Sequence, residues 1–423
     1  MNQLLKIWEY KDLRNKIIVA VSLLLLTRVL AHIPLPGVNL ALLQTFFQQN
    51  QVLGMFNMLS GGTMSNFSIV LMGVGPYITS SIVFQLLGMI VPSIEELQKE
   101  GEAGRQKIAQ WTRMATVPFA IIQAFAMLSL LKSQGIIPDY NIFELVMMLI
   151  TVTAGTMLLM WIGEIISEKG IGNGMSLIIS LGILSGLPSA IQSTSLLLQS
   201  GDTSKIIGTI LFAITGLAAV AAVVLIQEGQ RNIPVTYARK MRYGSNATSS
   251  SYLPIKVNIA GVIPIIFAMS ILIVPGVIAK YLESAKTEWI VAAAKAVTSM
   301  INNQLIYSIF YFLLVFLFTF FYTNVVFKPK QISENLQKQG GFIPGIRPGK
   351  ETISYLGTVI SRITFSGATF LSIIAILPFV IQSITNVSTL VLGGTGILIV
   401  VSVVIETMRQ INSQFLMHSY ERY

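Results

Sequence analysis

Apolar residues gather along this chain into long runs divided by shorter polar stretches. Ten runs reach the roughly 17–25 residues needed to cross a membrane as a helix. They lie near positions 17–34, 69–91, 114–131, 142–163, 175–198, 206–226, 257–279, 305–327, 363–384 and 387–405. The fifth and ninth are rich in Ser, Thr and Gly, which suit close helix packing or a wet interior face more than lipid. The second run is irregular. Within "MLSGGTMSNFSIVLMGVGPYITSSIVFQLL" (Met58–Leu87), Gly61-Gly62 loosens the chain and Gly73-Val-Gly-Pro76 interrupts it. From Gly73 to Val91 a helix would measure about 28 Å at ~1.5 Å per residue, close to a hydrocarbon core of about 30 Å. Met64–Met72 is then surplus. Unpaired backbone is not tolerated in lipid, so this piece is expected as a separate short helix buried in protein or lining a cavity. It reads either as a re-entrant packing element or as a movable stopper in a pore.

Charge tests the count of spans. With the N-terminus on the cytosolic side, ten spans place 22 of the 28 Lys and Arg residues in cytosolic segments and 5 outside, with Arg28 inside the first span. That asymmetry is the positive-inside bias, and it puts both termini in the cytosol. Ten spans divide into two sets of five, and an odd number means that a duplicated half enters the membrane inverted. One sequence match supports duplication: Gly73-Val74-x-Pro76 in the second run and Gly261-Val262-x-Pro264 in the seventh. Such Gly/Pro interruptions at corresponding places point to a central pathway between two halves, here residues 1–200 and 201–423.

Composition narrows the chemistry. The chain is 53% hydrophobic and 11% charged, with mean hydropathy +0.72, against about 25% charged in soluble domains. No charged n-region with a short apolar core and a cleavage site opens the sequence, so the first run is expected to stay as a span. There is no cysteine, and the two histidines, His32 and His418, form no metal cluster. The carboxylates nearest the runs, Glu144, Glu164 and Glu406, all sit at run ends. Arg28, near the outer end of the first run, is expected to snorkel or pair with a neighbour. Ion-coupled solute carriers use ionisable groups at mid-membrane, so a secondary transporter for a small solute is the alternative reading, and an intramembrane enzyme lacks catalytic groups. "GGFIPGIRPGKET" (340–352) has Pro344 and Glu351 where a phosphate loop needs Gly and Ser or Thr. Asn246-Ala-Thr248 fits a glycosylation pattern on the wrong side of the membrane. No cofactor motif is present. The two long cytosolic loops, 227–256 and 328–362, carry 11 basic residues against Glu228, Glu334 and Glu351. Topology alone accounts for such a bias, but the fixed turn chemistry of "PGIRPG" suggests a docking surface for an acidic partner or RNA phosphates.

These motifs together resemble the SecY family, the central subunits of the bacterial protein-conducting channel, over essentially the whole chain. The most specific is "GVGPYITSSIVFQLL" (73–87). It is joined in order by "IPLPG" (33–37), "NMLSGG" (57–62), "GIGNG" (170–174), "LPIKVNIAGVIP" (253–264), "PGIRPG" (344–349) and "GGTGILIV" (393–400). The stretch "SNATSSS" (245–251) departs from the family pattern, which leaves the fine structure of that loop open. The resemblance implies an all-α membrane protein of ten helices in two inverted halves around an hourglass pore, in the bacterial cell membrane. It implies a non-enzymatic channel that passes unfolded secretory chains and releases hydrophobic segments, signal peptides among them, sideways into lipid between the second/third and seventh/eighth spans. Carried over by motif, the pore ring is Ile78, Ile82, Ile179, Ile183, Ile266 and Ile399. The plug lies at about 60–72, with Gly61, Gly62, Met64, Phe67, Ile69 and Val70, and the helix breaks are Gly73, Pro76, Gly261 and Pro264. The implied partners are the small membrane subunits SecE and SecG, and the SecA motor ATPase or a ribosome docking on Arg347, Lys350, Arg239, Lys240 and Arg242.

Overall fold

The computed structural model describes residues 10–420 except 37, 39, 50–53, 55, 56, 58, 59, 139, 200–202, 238–250, 284–286 and 386–388. A helix lies over each of the ten apolar runs. In chain order these are α1 (Lys11–Ala31), α3 (Gly75–Ile90), α5 (Glu102–Ser133), α6 (Ile142–Lys169), α7 (Gly174–Gln199), α8 (Thr203–Glu228), α9 (Ile263–Leu282), α11 (Gln304–Val326), α13 (Lys350–Thr385) and α14 (Thr389–Tyr420). Four further helices join them: α2 (Leu40–Gln49), α4 (Pro92–Lys99), α10 (Glu288–Asn302) and α12 (Pro329–Lys338). By length and composition, five described stretches can cross a membrane: Glu102–Ser133, Ile142–Lys169, Ile206–Glu228, Gln304–Lys338 and Lys350–Ile384. The bent pair Gly75–Ile90 and Pro92–Gln98 makes a sixth, while Gly174–Pro188 and Ile263–Leu272 are shorter apolar stretches.

The second run departs from expectation in two ways. Its helix, α3, has 16 residues and not the 19 of Gly73–Val91, so it rises about 24 Å at ~1.5 Å per residue. It ends because Pro92 forces the preceding residue out of the helical region. Val91 is extended at φ −100°, ψ 112°, and the chain turns through 104° into α4. The prolines also differ from their expected role. Pro76 and Pro264 are each the second residue of a helix, where a missing N–H is harmless. They open α3 and α9 and do not break them. Prolines inside helices are found instead at 118, 188, 275 and 378.

The described parts of the two long basic loops fold into a platform. Strands β1 (Gln230–Tyr237), β2 (Ser251–Lys256) and β3 (Gly341–Phe342) form a three-stranded antiparallel sheet in the order β2-β1-β3. This small sheet interrupts an otherwise helical fold. Helix α13, 36 residues long, measures about 54 Å and so outruns a core of about 30 Å. Its first turns carry Leu356, Val359, Ile360 and Ile363, which pack with Ile233, Ile255 and Ile343 in a separate small core. The main core is continuous from α1 to α14. Within it, α9 packs directly against α3 and α5, and α11 lies beside α9.

Candidate functional site: a vestibule, an apolar constriction and a seated segment

The matched motifs build the same local structure twice. Gly73 and Gly261 both take left-handed backbone, at φ +56° and +65°. Each is followed two residues later by the first residue of its helix, Gly75 or Ile263. The first regular bonds match as well: the Ile78 N–H donates to the Val74 carbonyl at 3.1 Å and the Ile266 N–H to the Val262 carbonyl at 3.2 Å. Ile78 and Ile266 thus stand at the same place in two copies of one motif. At the second copy, Asn258 fixes the turn. Its Oδ1 accepts from the Gly261 N–H at 3.0 Å. Its Nδ2 donates to the Gly261 carbonyl at 3.1 Å and to Gln227 Oε1 at 2.8 Å. The start of α9 is thereby tied to the end of α8, where Arg409 pairs with Glu228 at 3.1 Å.

Each of the six isoleucines is buried, with 7% exposure or less, and all belong to the one main core. They come from four helices: Ile78 and Ile82 from α3, Ile179 and Ile183 from α7, Ile266 from α9 and Ile399 from α14. A cavity of about 650 Å³ borders Ile78, Ile179 and Ile266, with a mixed lining of polar groups (Ser81, Gln85, Asn173) and apolar ones (Trp161, Met175, Phe267). Its wall holds Arg113 and Glu164, paired at 2.7 Å. Glu144 closes a capping box with Asn141 at the start of α6. Two of the three carboxylates near the runs therefore have structural partners. No group of three or more His, Asp or Glu side chains is placed to hold a metal among the described residues.

The surplus segment lies deeper than this vestibule. Along α6, Gly163 and Glu164 line the cavity, while Gly155, about 12 Å further along at ~1.5 Å per residue, touches the backbone of Ile69 and Val70. Along α7, Ser176 and Ile179 face the cavity, and Gly182, one turn on, meets Gly61. The vestibule, the isoleucines that border it (Ile78, Ile179 and Ile266) and the segment therefore follow in that order, with Ile183 level with the start of the segment. Met64, Phe67, Val70, Leu71 and Met72 are all fully buried in the same core as the isoleucines, with Ile69 half-buried against it.

The expected short helix over Met64–Met72 is not formed. Residues 60–74 run as successive turns, with left-handed backbone at Gly61, Gly62, Phe67 and Gly73, which no right-handed helix admits. Their polar groups bond partly within the segment, as in the Phe67 N–H to the Met64 carbonyl at 3.0 Å, and partly to the chain after α1. The Ile69 N–H donates to the Ile33 carbonyl at 3.0 Å, the Leu35 N–H donates to the Phe67 carbonyl at 2.7 Å, and Pro34 and Ser68 form a bridge. Ser68 Oγ donates to the Leu30 carbonyl at 2.8 Å. Thr63 Oγ1 donates to the carbonyls of Ser60 and Leu71. Arg28, expected to snorkel or pair, donates from Nη1 to the Gly61 carbonyl at 3.0 Å.

On the platform, Arg347 and Lys350 are exposed. The "PGIRPG" turn beneath them is fixed: the Arg347 N–H donates to Glu351 Oε2 at 3.3 Å, and Thr352 Oγ1 donates to the Arg347 carbonyl at 2.9 Å. Arg239, Lys240 and Arg242 lie outside the described residues, as does most of the 245–251 stretch. Sequence reasoning missed Gly155, Gly182 and Asn258. Glycine inside an apolar helical run marks close backbone approach, and an Asn three residues before a Gly marks an Asx-type turn, so the signals were present without their partners.

Comparison with known proteins places these features. The SecY family model matches residues 68–408. The protein translocase subunit SecY of Halalkalibacterium halodurans is 41% identical over 98% of this chain and 97% of its own. That of Corynebacterium glutamicum is 39% identical over 100% and 99%. Among solved structures, one of a SecY protein, described for a plug domain that stabilises the closed state of its translocation channel and maintains a membrane seal, has the same fold. It is 18% identical, with a TM-score of 0.65 over 96% of this chain and 93% of that one. With a family model across most of its length and such identity from end to end, the chain belongs to the SecY family of protein translocase subunits, multi-pass membrane proteins with the fold of a protein-conducting channel.

Proposed function

We propose that this chain conducts unfolded secretory polypeptides across the bacterial cell membrane through the gap ringed by Ile78, Ile82, Ile179, Ile183, Ile266 and Ile399. Residues 60–72 plug it when idle. The observation that carries this reading is the depth order: a vestibule ends on Ile78, Ile179 and Ile266, and a buried, separately hydrogen-bonded segment begins beyond these three. An apolar constriction resists wetting, so ions lack a hydration path through it. Isoleucine carries no charge, so a ring of it fits around different side chains without selecting among them. The two halves, 1–200 and 201–423, pack together through α7 and α14, and they meet again where α9 packs on α3 and α5. Parting there opens the pore to lipid, and a hydrophobic segment of about 20 residues leaves through it and stays as a span.

The termini face the cytosol, as the distribution of Lys and Arg supports. The chain carries no nucleotide motif, and the driving force comes from SecA or a translating ribosome on the platform, with Arg347, Lys350, Arg239, Lys240 and Arg242 as contacts. SecE and SecG cover outward-facing spans. Crosslinking a stalled secretory chain to probes at Ile82 and Ile266 tests the pathway. Adducts at both positions are expected, and adducts at neither would refute it.

A further inference from the structure

Resting on the plug reading above, we infer that Gly155 and Gly182 form the seat of the plug and set how firmly the idle channel is closed. Both are buried in the middle of helices, where glycine is a poor choice for the helix itself. At Gly182 a β-carbon would lie 2.3 Å from the Gly61 Cα, and at Gly155 it would lie 2.2 Å from the Ile69 carbonyl oxygen. Both neighbours are backbone atoms of the plug segment, and neither can turn aside as a side chain would. A methyl group at either position can be accommodated only by displacing the segment from α6 or α7. The Gly61 contact is reciprocal, because a β-carbon on Gly61 would lie 3.0 Å from the Gly182 Cα. The two seats hold opposite ends of the segment, and Gly182 is adjacent in sequence to Ile183. The plug is therefore fitted to the helices by backbone contact, from the level of Ile183 outward.

Gly186, one turn after Gly182 on the same helix, supplies the control. It is exposed, and a β-carbon there meets nothing within 4 Å. Gly155→Ala, Gly182→Ala and Gly186→Ala would each be reconstituted as the full complex in planar bilayers, in the intact chain and in a chain lacking residues 60–72, which removes Gly61, Ile69 and Val70 together. The readout is the open fraction of idle channels, with signal-peptide stringency of export as a second one. Overpacking a fitted contact by one methyl group is expected to raise the open fraction about tenfold for Gly155→Ala and Gly182→Ala. Gly186→Ala should stay within about twofold. In the deletion background the two seat variants should add nothing, because their partner is gone. An effect that persists there marks general helix damage and overturns the seat. Silent Gly155→Ala and Gly182→Ala in the intact chain overturn it as well, provided that the deletion itself raises the open fraction. If the deletion is also silent, the plug reading fails with it.

Discussion

Arg28→Met removes the one guanidinium that holds the plug segment from α1. The bond it loses, from Nη1 to the Gly61 carbonyl, is 3.0 Å long, and a hydrogen bond from a charged donor contributes about 1.5–3 kcal/mol. Arg28 is only half-buried, so solvent screening reduces this to about 1–1.5 kcal/mol. Each 1.4 kcal/mol is about a factor of ten in an equilibrium, and methionine keeps the apolar length of the side chain. The idle open fraction should therefore rise about five- to tenfold, read as ion-conducting events in planar bilayers containing the complex. Arg28→Lys separates charge from geometry. It keeps the positive charge at the outer end of α1 but loses the forked donor, and should fall between wild type and Arg28→Met. An open fraction for Arg28→Met equal to wild type would refute the latch. Full leakiness in Arg28→Met with normal closure in Arg28→Lys would make charge, and not the guanidinium geometry, the operative property.

Three further outcomes follow from the same structure. Asn258→Ala leaves the Gly261 N–H and Gln227 Oε1 unpaired in a buried setting. It should cost about 2–4 kcal/mol in equilibrium unfolding in mixed detergent–SDS micelles, and a change under about 0.5 kcal/mol would remove Asn258 as the support of the α9 turn. Gly261→Ala meets only left-handed strain, about 1–2 kcal/mol, because a β-carbon there touches nothing. Gly73→Ala adds a clash 2.8 Å from the Ser60 Cα, so it should be the more destabilising of the two in the same assay, and equal losses would contradict the packing at Gly73. Arg347→Glu should lower SecA-driven export about tenfold while leaving stability within about 0.5 kcal/mol, since the exposed side chain sits on a turn fixed through backbone bonds. Undiminished export would exclude Arg347 from the docking surface.

What was legible in the sequence was local. The length of an apolar run is a property of the run itself, and a helix lies over each of the ten. The four-residue match at Gly73 and Gly261 was equally readable, because left-handed backbone and a proline at the second helical position are both written in residue type. The conformation of Met64–Met72 was not readable. The segment is apolar enough for a helix, but its backbone partners, Ile33 and Leu35, lie more than thirty residues earlier, and no window of sequence contains both. Separation along the chain also hid the contact of Gly61 with Gly182 and the sheet in which Arg231 pairs with Ile255. The six isoleucines proposed as a ring fall between these cases. Spacing puts Ile78 with Ile82 and Ile179 with Ile183 on common helix faces, whereas their meeting with Ile266 and Ile399 is a matter of tertiary packing.

The turn conformation of the segment changes what opening must involve. A helical stopper would satisfy its own backbone and could slide out as a rigid cylinder, losing only side-chain packing. A stopper made of turns borrows partners from the chain that follows α1, so in leaving its seat it exposes the Phe67 carbonyl and the Ile69 N–H, and with them the Leu35 N–H and the Ile33 carbonyl. An unpaired backbone group costs about 1–3 kcal/mol in a dry interior and little where water replaces the lost bond. Displacement toward lipid is therefore strongly opposed, and displacement into a wet outer cavity is not. The same pairing makes closure directional, because these four groups find one another in only one register, set by the Pro34–Ser68 bridge. Apolar side chains fill the gap, and the borrowed hydrogen bonds determine where the filling returns.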